Sequence, residues 1–67
     1  MESLYPNIDS ELKKRNMHYS QLAREVDLSN LQMYRRLKGK SNWQLIEVIK
    51  VCKFFDHPDV NILFARR

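Results

Sequence analysis

Apolar residues recur along the chain at intervals of three and four, which is the spacing of one face of an α-helix. The longest such stripe predicts a helix over residues 44–55. Its core-facing side chains are the apolar members of the stripe: Leu45, Val48, Ile49, Cys52 and Phe55. Its water-facing side chains are the charged residues between them: Glu47, Lys50 and Lys53.

Four shorter stripes predict helices over residues 6–15, 19–26, 30–38 and 58–65. Their inward side chains are apolar residues about one turn apart: Ile8 and Leu12, then Leu22, Ala23 and Val26, then Met33 and Leu37. No stretch alternates Val, Ile or Thr with polar residues as a strand would. We therefore expect a compact all-α domain of five helices over residues 1–67, with flexible ends at residues 1–5 and 66–67.

Boundary residues support these helices. Pro6 and Pro58 suit a first helical turn, where a missing N–H costs nothing. Ser29 is a preferred N-cap. Asn16 and Gly39 stand just past helix ends, where a left-handed conformation stops the helix.

The third helix has an inner and an outer face. At 100° per residue, Met33 and Leu37 lie together and anchor it to the core. The other face carries a leucine, a tyrosine and two cations: Leu31, Tyr34, Arg35 and Lys38. Asn30 lies beside them in the first turn. An anchored helix that exposes such a face is the arrangement that reading a DNA major groove requires.

Charge adds a candidate partner. The chain has 12 basic and 8 acidic residues, for a net charge of +4. Four cations stand within six residues: Arg35, Arg36, Lys38 and Lys40. This clustering predicts a one-sided positive patch that could bind a polyanion. Lys13, Lys14 and Arg15 instead suit a solvated helix end, where cations favour the helix dipole.

Cysteine and histidine usage points to no metal or redox chemistry. One cysteine, Cys52, cannot form an internal disulfide, and we expect it to fill the core rather than to react. His18 and His57 lie too far apart to form a zinc pattern with it. No apolar stretch approaches the roughly 20 residues of a membrane span, and the first residues do not form a signal peptide. We expect a soluble protein in the cytoplasm of a bacterial or phage-infected cell, associated with the nucleoid.

The stretch over residues 19–55 reads YSQLAREVDLSNLQMYRRLKGKSNWQLIEVIKVCKFF. It resembles the helix-turn-helix domain of the lambda repressor and Cro family, in the form typical of small phage regulators. Four features carry the resemblance, which extends over about residues 8–64: Leu22-Ala23, Leu28-Ser29, Met33, and the run from Arg35 to Lys40. It implies a lambda-repressor-like fold with the helix-turn-helix at about residues 19–38.

The resemblance also implies which residues touch DNA. Base edges would be contacted by residues of the third helix: Asn30, Leu31, Tyr34 and Arg35. Their chemistry fits, because asparagine pairs with adenine, arginine pairs with guanine and leucine packs on the thymine methyl group. Leu31 could equally be an ordinary exposed leucine. The phosphate backbone would be gripped by residues at the two helix starts and in the following loop: Tyr19, Ser29, Lys38, Lys40, Ser41 and Asn42.

Three residues depart from the family pattern. Asp27 replaces the usual turn glycine, which predicts a left-handed aspartate. His18 replaces the usual serine or threonine cap of the second helix, which predicts a weaker cap. Trp43 is expected to cover the junction of the third and fourth helices rather than to stack on nucleic acid. Arg36 has no clear role: it could lie over Met33, pair with an acid of a neighbouring helix or contact a base.

Apolar residues in excess of core needs suggest a homodimer. The resemblance places that interface at the end of the domain, at Phe54, Ile62 and Phe64. A monomer with a buried last helix is the alternative.

These observations predict a sequence-specific double-stranded DNA-binding transcriptional regulator, repressor-like or Cro-like. The alternative is a protein-interaction module, an antirepressor or adaptor built on the same fold. We expect no enzyme, because no paired carboxylates, activated nucleophile or phosphate loop occurs in the sequence. No cofactor, small-molecule ligand or membrane partner is expected.

Overall fold

The computed structural model describes residues 2–67, which fold into five α-helices without any strand. The helices are α1 (Pro6–Lys14), α2 (Tyr19–Glu25), α3 (Asn30–Leu37), α4 (Leu45–Phe55) and α5 (Val60–Leu63). The prediction of an all-α domain is confirmed. The boundaries of α1 to α4 shift by at most one residue, and α5 is two residues shorter than expected at each end.

The core lies between the helices and includes side chains from all five of them. Its fully buried members are large apolar residues: Ile8, Leu22, Met33, Leu37, Val51 and Leu63. The predicted inward residues of α1, α2 and α3 are buried, so those three faces were identified correctly. Tyr5, which precedes α1, is also a core residue.

Left-handed residues stop the helices where the sequence indicated. Asn16 has φ 54°, Asp27 φ 61° and Gly39 φ 77°, so all three predictions of left-handed backbone are confirmed. Asp56, at φ 51°, ends α4 in the same way and was not predicted. At Gly39 a side chain would also collide with Leu4, which makes glycine doubly necessary there.

The caps of α2 and α3 have the same form. Ser29 Oγ accepts a hydrogen bond from the Gln32 amide at 3.1 Å, and Gln32 Oε1 accepts one from the Ser29 amide at 2.9 Å. At α2, His18 Nδ1 accepts from the Ser20 amide at 3.2 Å, while Gln21 Oε1 accepts from the His18 amide at 2.9 Å. The His18 side chain thus takes the capping position that a serine or threonine hydroxyl usually fills, and the weaker cap expected there stays a prediction.

The predicted orientation of α4 is wrong. Leu45 is 76% exposed and Ile49 39% exposed, although both were assigned to the core face, whereas Glu47 is buried. Phe55 faces the core as predicted, and Val51, which was not in the predicted set, is buried beside it. The physical reason is that Glu47 pairs with Arg36 of α3, and this ion pair offsets the free-energy cost of burying a carboxylate.

The residues before α1 form an arm that is hydrogen-bonded to the rest of the domain, and the predicted flexibility of the chain ends stays a prediction. Met1 lies outside the described residues, but the Leu4 amide donates to the Leu37 carbonyl at 2.9 Å. The Arg67 amide donates to the Leu4 carbonyl at 2.9 Å, and its guanidinium pairs with Asp9 at 3.1 Å. The arm, Glu2 to Tyr5, therefore lies between the end of α3 and the last residue of the chain.

Candidate nucleic-acid interface

Helices α2 and α3 are held together by a short, well-bonded turn. The Leu28 amide donates to the Ala23 carbonyl at 2.9 Å, which folds the chain back at the end of α2. The left-handed Asp27 makes this reversal sterically accessible, and its carboxylate pairs with Lys50 of α4 at 2.9 Å. Helix α3 starts three residues after Asp27, at a fixed angle to α2.

The predicted base-contact residues lie together on the outer side of α3. Met33 and Leu37 are fully buried, which fixes the rotation of the helix. Asn30, Leu31 and Arg35 are consequently exposed, with Leu31 at 56%. They form one surface of amide, aliphatic and guanidinium groups that nothing in residues 2–67 covers.

Tyr34, the fourth predicted base contact, is half-buried. Its ring lies 6.0 Å from the ring of Tyr19, and the Tyr19 ring lies 4.3 Å from that of His18. The Lys38 ammonium stands 5.9 Å from the centre of the Tyr34 ring. This row joins the start of α2 to the end of α3, and it limits the freedom of Tyr34 and Tyr19 without burying either completely.

The predicted phosphate-contact residues flank that surface. Ser29 and Asn42 are exposed, and Ser41 is half-exposed. Ser29 Oγ acts as an acceptor in its cap, so the hydroxyl proton remains available to an anion. Lys40 is exposed, whereas Lys38 is half-buried and donates to the Glu2 carbonyl at 2.9 Å.

Arg36 has a structural role. Its Nε donates to Glu47 Oε1 at 2.7 Å and one terminal nitrogen donates to Glu47 Oε2 at 3.1 Å, a two-point contact with only about a tenth of either side chain exposed. Glu47 Oε1 also accepts from the Gln44 amide at 3.0 Å. Of the roles that the sequence left open for Arg36, the structure thus selects pairing with an acid of a neighbouring helix.

Arg66 is a candidate functional residue that the sequence interpretation missed. One of its terminal nitrogens lies 3.4 Å from the position that a side chain at Gly39 would occupy, beside the loop that follows α3. No local sequence signal indicates this, because the contact depends on the arm bringing the end of the chain to α3.

Cations without an acidic partner cluster around the end of α3. Acidic residues neutralise most other cations: Lys14 and Arg15 pair with Glu11, Lys50 with Asp27, and Arg67 with Asp9. Around the end of α3, four cations have no acidic partner within residues 2–67: Arg35, Lys38, Lys40 and Arg66. The net charge is therefore concentrated next to the outer face of α3.

The basic end of α1 behaves as the sequence indicated. Arg15 donates to Glu11 and so lowers the pKa of that carboxyl group below its usual value, with Lys14 adding to the effect. Arg15 also lies over the ring of Phe55 at 4.9 Å. Lys14 and Arg15, two of the three cations at this helix end, thus form ion pairs with Glu11.

Trp43 covers the core, although its neighbours are not those expected. Its ring packs edge-on against Phe64 at 5.1 Å and against Tyr5 at 6.1 Å. Its indole Nε1 is buried without a hydrogen-bond partner in the described structure, which agrees with an apolar packing role.

The predicted dimer residues occupy different surroundings. Phe64 packs against Tyr5 and Trp43, and Phe54 contacts the ring of Phe55. Ile62 is 53% exposed. Their use as a dimer interface stays a prediction, and two of the three side chains already contribute to the fold of one molecule.

Cys52 is half-buried against the core rather than fully inside it. Burial raises the pKa of its thiol, which favours the protonated form. Across residues 2–67, no group of three or more His, Cys, Asp or Glu side chains could hold a metal ion. No helix in that range is both long and apolar enough to cross a membrane.

Comparison with known proteins gives a family. The BetR domain model matches residues 7–66, from the first turn of α1 to beyond the end of α5. Neither a curated protein nor a solved structure matches the chain significantly. The likeness to the lambda repressor and Cro family stays a prediction, whereas the match over nearly the whole length establishes that the chain belongs to the BetR domain family, a family of small helical domains.

Proposed function

We propose that this domain is a sequence-specific double-stranded DNA-binding regulator that inserts α3 into the major groove. The observation that carries the proposal is the combination of a capped, core-anchored α3 with unpaired cations around its end. Membership in the BetR domain family supports a regulatory role for a domain of this size.

Base recognition would come from the outer face of α3. Asn30 can pair with adenine, Arg35 with guanine, and Leu31 can pack against a thymine methyl group. Each good contact of this kind discriminates by about 1–3 kcal/mol. Tyr34, steadied by Tyr19, would contact a base edge or the sugar.

Phosphate contacts would fix the position of α3 in the groove. Lys40, Ser41 and Asn42 follow α3, while Ser29 and Tyr19 stand at the starts of the two helices. Lys38 and Arg66 add positive charge at the same end. These contacts supply affinity that depends on salt and not on sequence.

Regulation would follow from occupancy of an operator in competition with polymerase. The mechanism gives the domain no catalytic step and no need of a cofactor. It is repressor-like or Cro-like according to where the operator lies.

The proposal is tested by selecting bound sequences from a random duplex pool and then titrating the selected site at several salt concentrations. We expect one enriched motif and an affinity that falls steeply with salt. The variant Lys14→Ala, which removes an exposed cation at the end of α1, is the control for a general loss of positive charge and should bind as the parent does. Absence of any enriched motif would contradict sequence-specific binding.

A protein-interaction module is the second candidate, and the exposed Leu31 on the same face favours it. Such a module would show no salt-dependent affinity for duplex DNA, so the same titration separates the two.

A further inference from the structure

An apolar groove runs between α4 and α5, on a surface that neither the core nor the candidate interface uses. Leu45 is 76% exposed, Val60 42% and Ile49 39%. With Val48, Cys52 and Pro58 they line a groove of about 260 Å³. A domain of 67 residues has few apolar side chains to spare, so three large ones left in water at one place need an explanation.

The groove faces away from the candidate interface. Leu45 and Ile49 each lie about 160° around the axis of α4 from Glu47, at 100° per residue. Glu47 contacts Arg36 of α3, and Lys50 contacts Asp27 in the turn before it. The flank of α4 that meets the helix-turn-helix is therefore roughly opposite the groove, and both surfaces can be used at once.

We propose that the groove is a homodimer interface, in which a second copy of this chain inserts its Leu45 side chain. Leu45 is both the most exposed large apolar residue within residues 2–67 and a wall of the groove. A twofold axis would place each Leu45 in the other copy's groove, against Ile49 and Val60. A surface that carries both a protruding side chain and the hollow for it satisfies the requirement for self-complementary contact around a twofold axis.

The charges around the groove agree with a second copy as the occupant. Lys53 is the one lysine, arginine or acidic residue in its lining, which fits the low charge density of interface centres. Asp56 lies beside Lys53 in the hollow that adjoins the groove. Within residues 2–67 neither Lys53 nor Asp56 forms an ion pair, so an identical surface offers each of the two a partner of opposite sign.

The area of the groove limits the expected affinity of the dimer. A standard interface buries about 800 Å² per partner, somewhat less than a fifth of the 4511 Å² of this molecule. The groove provides only part of that area. The dimer is thus expected to be weak, with a dissociation constant on the order of micromolar.

Sedimentation or light scattering over a concentration series tests the proposal without DNA, so its result is independent of the proposed function. The parent mass should rise from the 8.1 kDa of one chain towards twice that value. Leu45→Asp should hold the protein at the mass of one chain throughout, because the carboxylate would be buried without a partner. Val60→Asp, on the opposite wall, should do the same.

Matched controls place the same charge outside the groove. Ile46→Asp alters the neighbouring residue of α4, which is 55% exposed, and Ile62→Asp alters the far side of α5. Both should dimerise like the parent, and circular dichroism should show equal helix content in all four variants. A parent that stays at 8.1 kDa up to about 1 mM overturns the proposal. So does loss of the dimer in Ile62→Asp but not in Leu45→Asp, which would place the interface at the predicted Phe54, Ile62 and Phe64.

Discussion

Asp27 is the residue at which sequence and backbone are most clearly in conflict. Its left-handed backbone costs a non-glycine residue roughly 1–2 kcal/mol, and less for aspartate than for most residues. Its ion pair with Lys50 adds little stability, because 81% of the Asp27 side chain is exposed. The variant Asp27→Gly should therefore be more stable by up to about 1 kcal/mol, or about 4–8 °C in melting temperature.

Thermal unfolding followed by circular dichroism measures this change. Lys50→Ala removes the ion pair alone and should shift the melting temperature far less. An unchanged or lower melting temperature for Asp27→Gly would mean that the carboxylate stabilises the turn more than the backbone strain costs.

Arg35 is expected to act on one base pair rather than on the whole duplex. Arg35→Ala should cost about 1–3 kcal/mol on the selected site and make the preference at one position disappear. Competition binding against sites mutated position by position measures it. Equal weakening on every sequence would assign Arg35 to phosphate contact instead.

Arg66 should show the opposite behaviour, because it lies beside the loop after α3 and not on the outer face of the helix. Arg66→Ala should weaken binding to all sequences about equally and reduce the slope of log affinity against log salt by about 1. Fluorescence anisotropy at four salt concentrations gives the slope. A change in sequence preference would instead place Arg66 in a groove.

At the scale of elements, the contact between α3 and α4 depends on one buried ion pair. Removing Glu47 leaves the Arg36 guanidinium without its partner in a site that is about nine-tenths covered. Breaking such a pair typically costs 3–5 kcal/mol. That is a large part of the roughly 3–10 kcal/mol expected for a domain of this length.

Glu47→Ala should accordingly lower the midpoint of urea unfolding strongly. The double variant Arg36→Met with Glu47→Leu should recover most of the loss, since apolar residues of similar volume can replace a buried pair. If the double variant is as unstable as Glu47→Ala, shape and not the unpaired charge determines the cost.

The Arg36–Glu47 pair also shows which features of the fold could be predicted from the sequence and which could not. Helix positions and the caps at Ser29 and Gly39 were predictable because they depend on residues within a turn or two of one another. The rotation of α4 was not, because eight of its eleven residues are apolar and several stripes fit equally well. The deciding contact comes from α3, eleven residues earlier in the chain, and it buries a charged residue against the usual rule.

In the candidate site, too, some features could be predicted from the sequence and others could not. The outer face of α3 followed from Met33 and Leu37 alone, since two buried residues fix the rotation of a short helix. Arg66 and the restraint on Lys38 did not, because both arise from the arm and from the end of the chain. Sequence patterns within one helix carry no information on contacts between segments that are distant in the chain.

At the scale of the whole molecule, the distribution of charge predicts how the number of copies affects DNA binding. Lys38, Lys40 and Arg66 are the cations that we propose to neutralise phosphate in each copy. With about 0.9 per neutralised phosphate, the slope of log affinity against log salt should be about −2.7 for one copy and about −5.4 for two. Titration of a single half-site and of a palindrome, with the parent and with Leu45→Asp, measures both slopes. Equal slopes for the parent on the two duplexes would mean that one copy binds at a time.

The arm has a practical consequence for any protein built from this domain. Because the Leu4 amide bonds to the end of α3 and the Arg67 amide bonds to Leu4, both ends of the described chain emerge at the same corner as the helix proposed to enter DNA. A tag or reporter fused at either end would crowd that corner or pull the arm away from Leu37. An attachment site for immobilisation is better placed at an exposed residue of α1 such as Ser10, away from both ends of the chain.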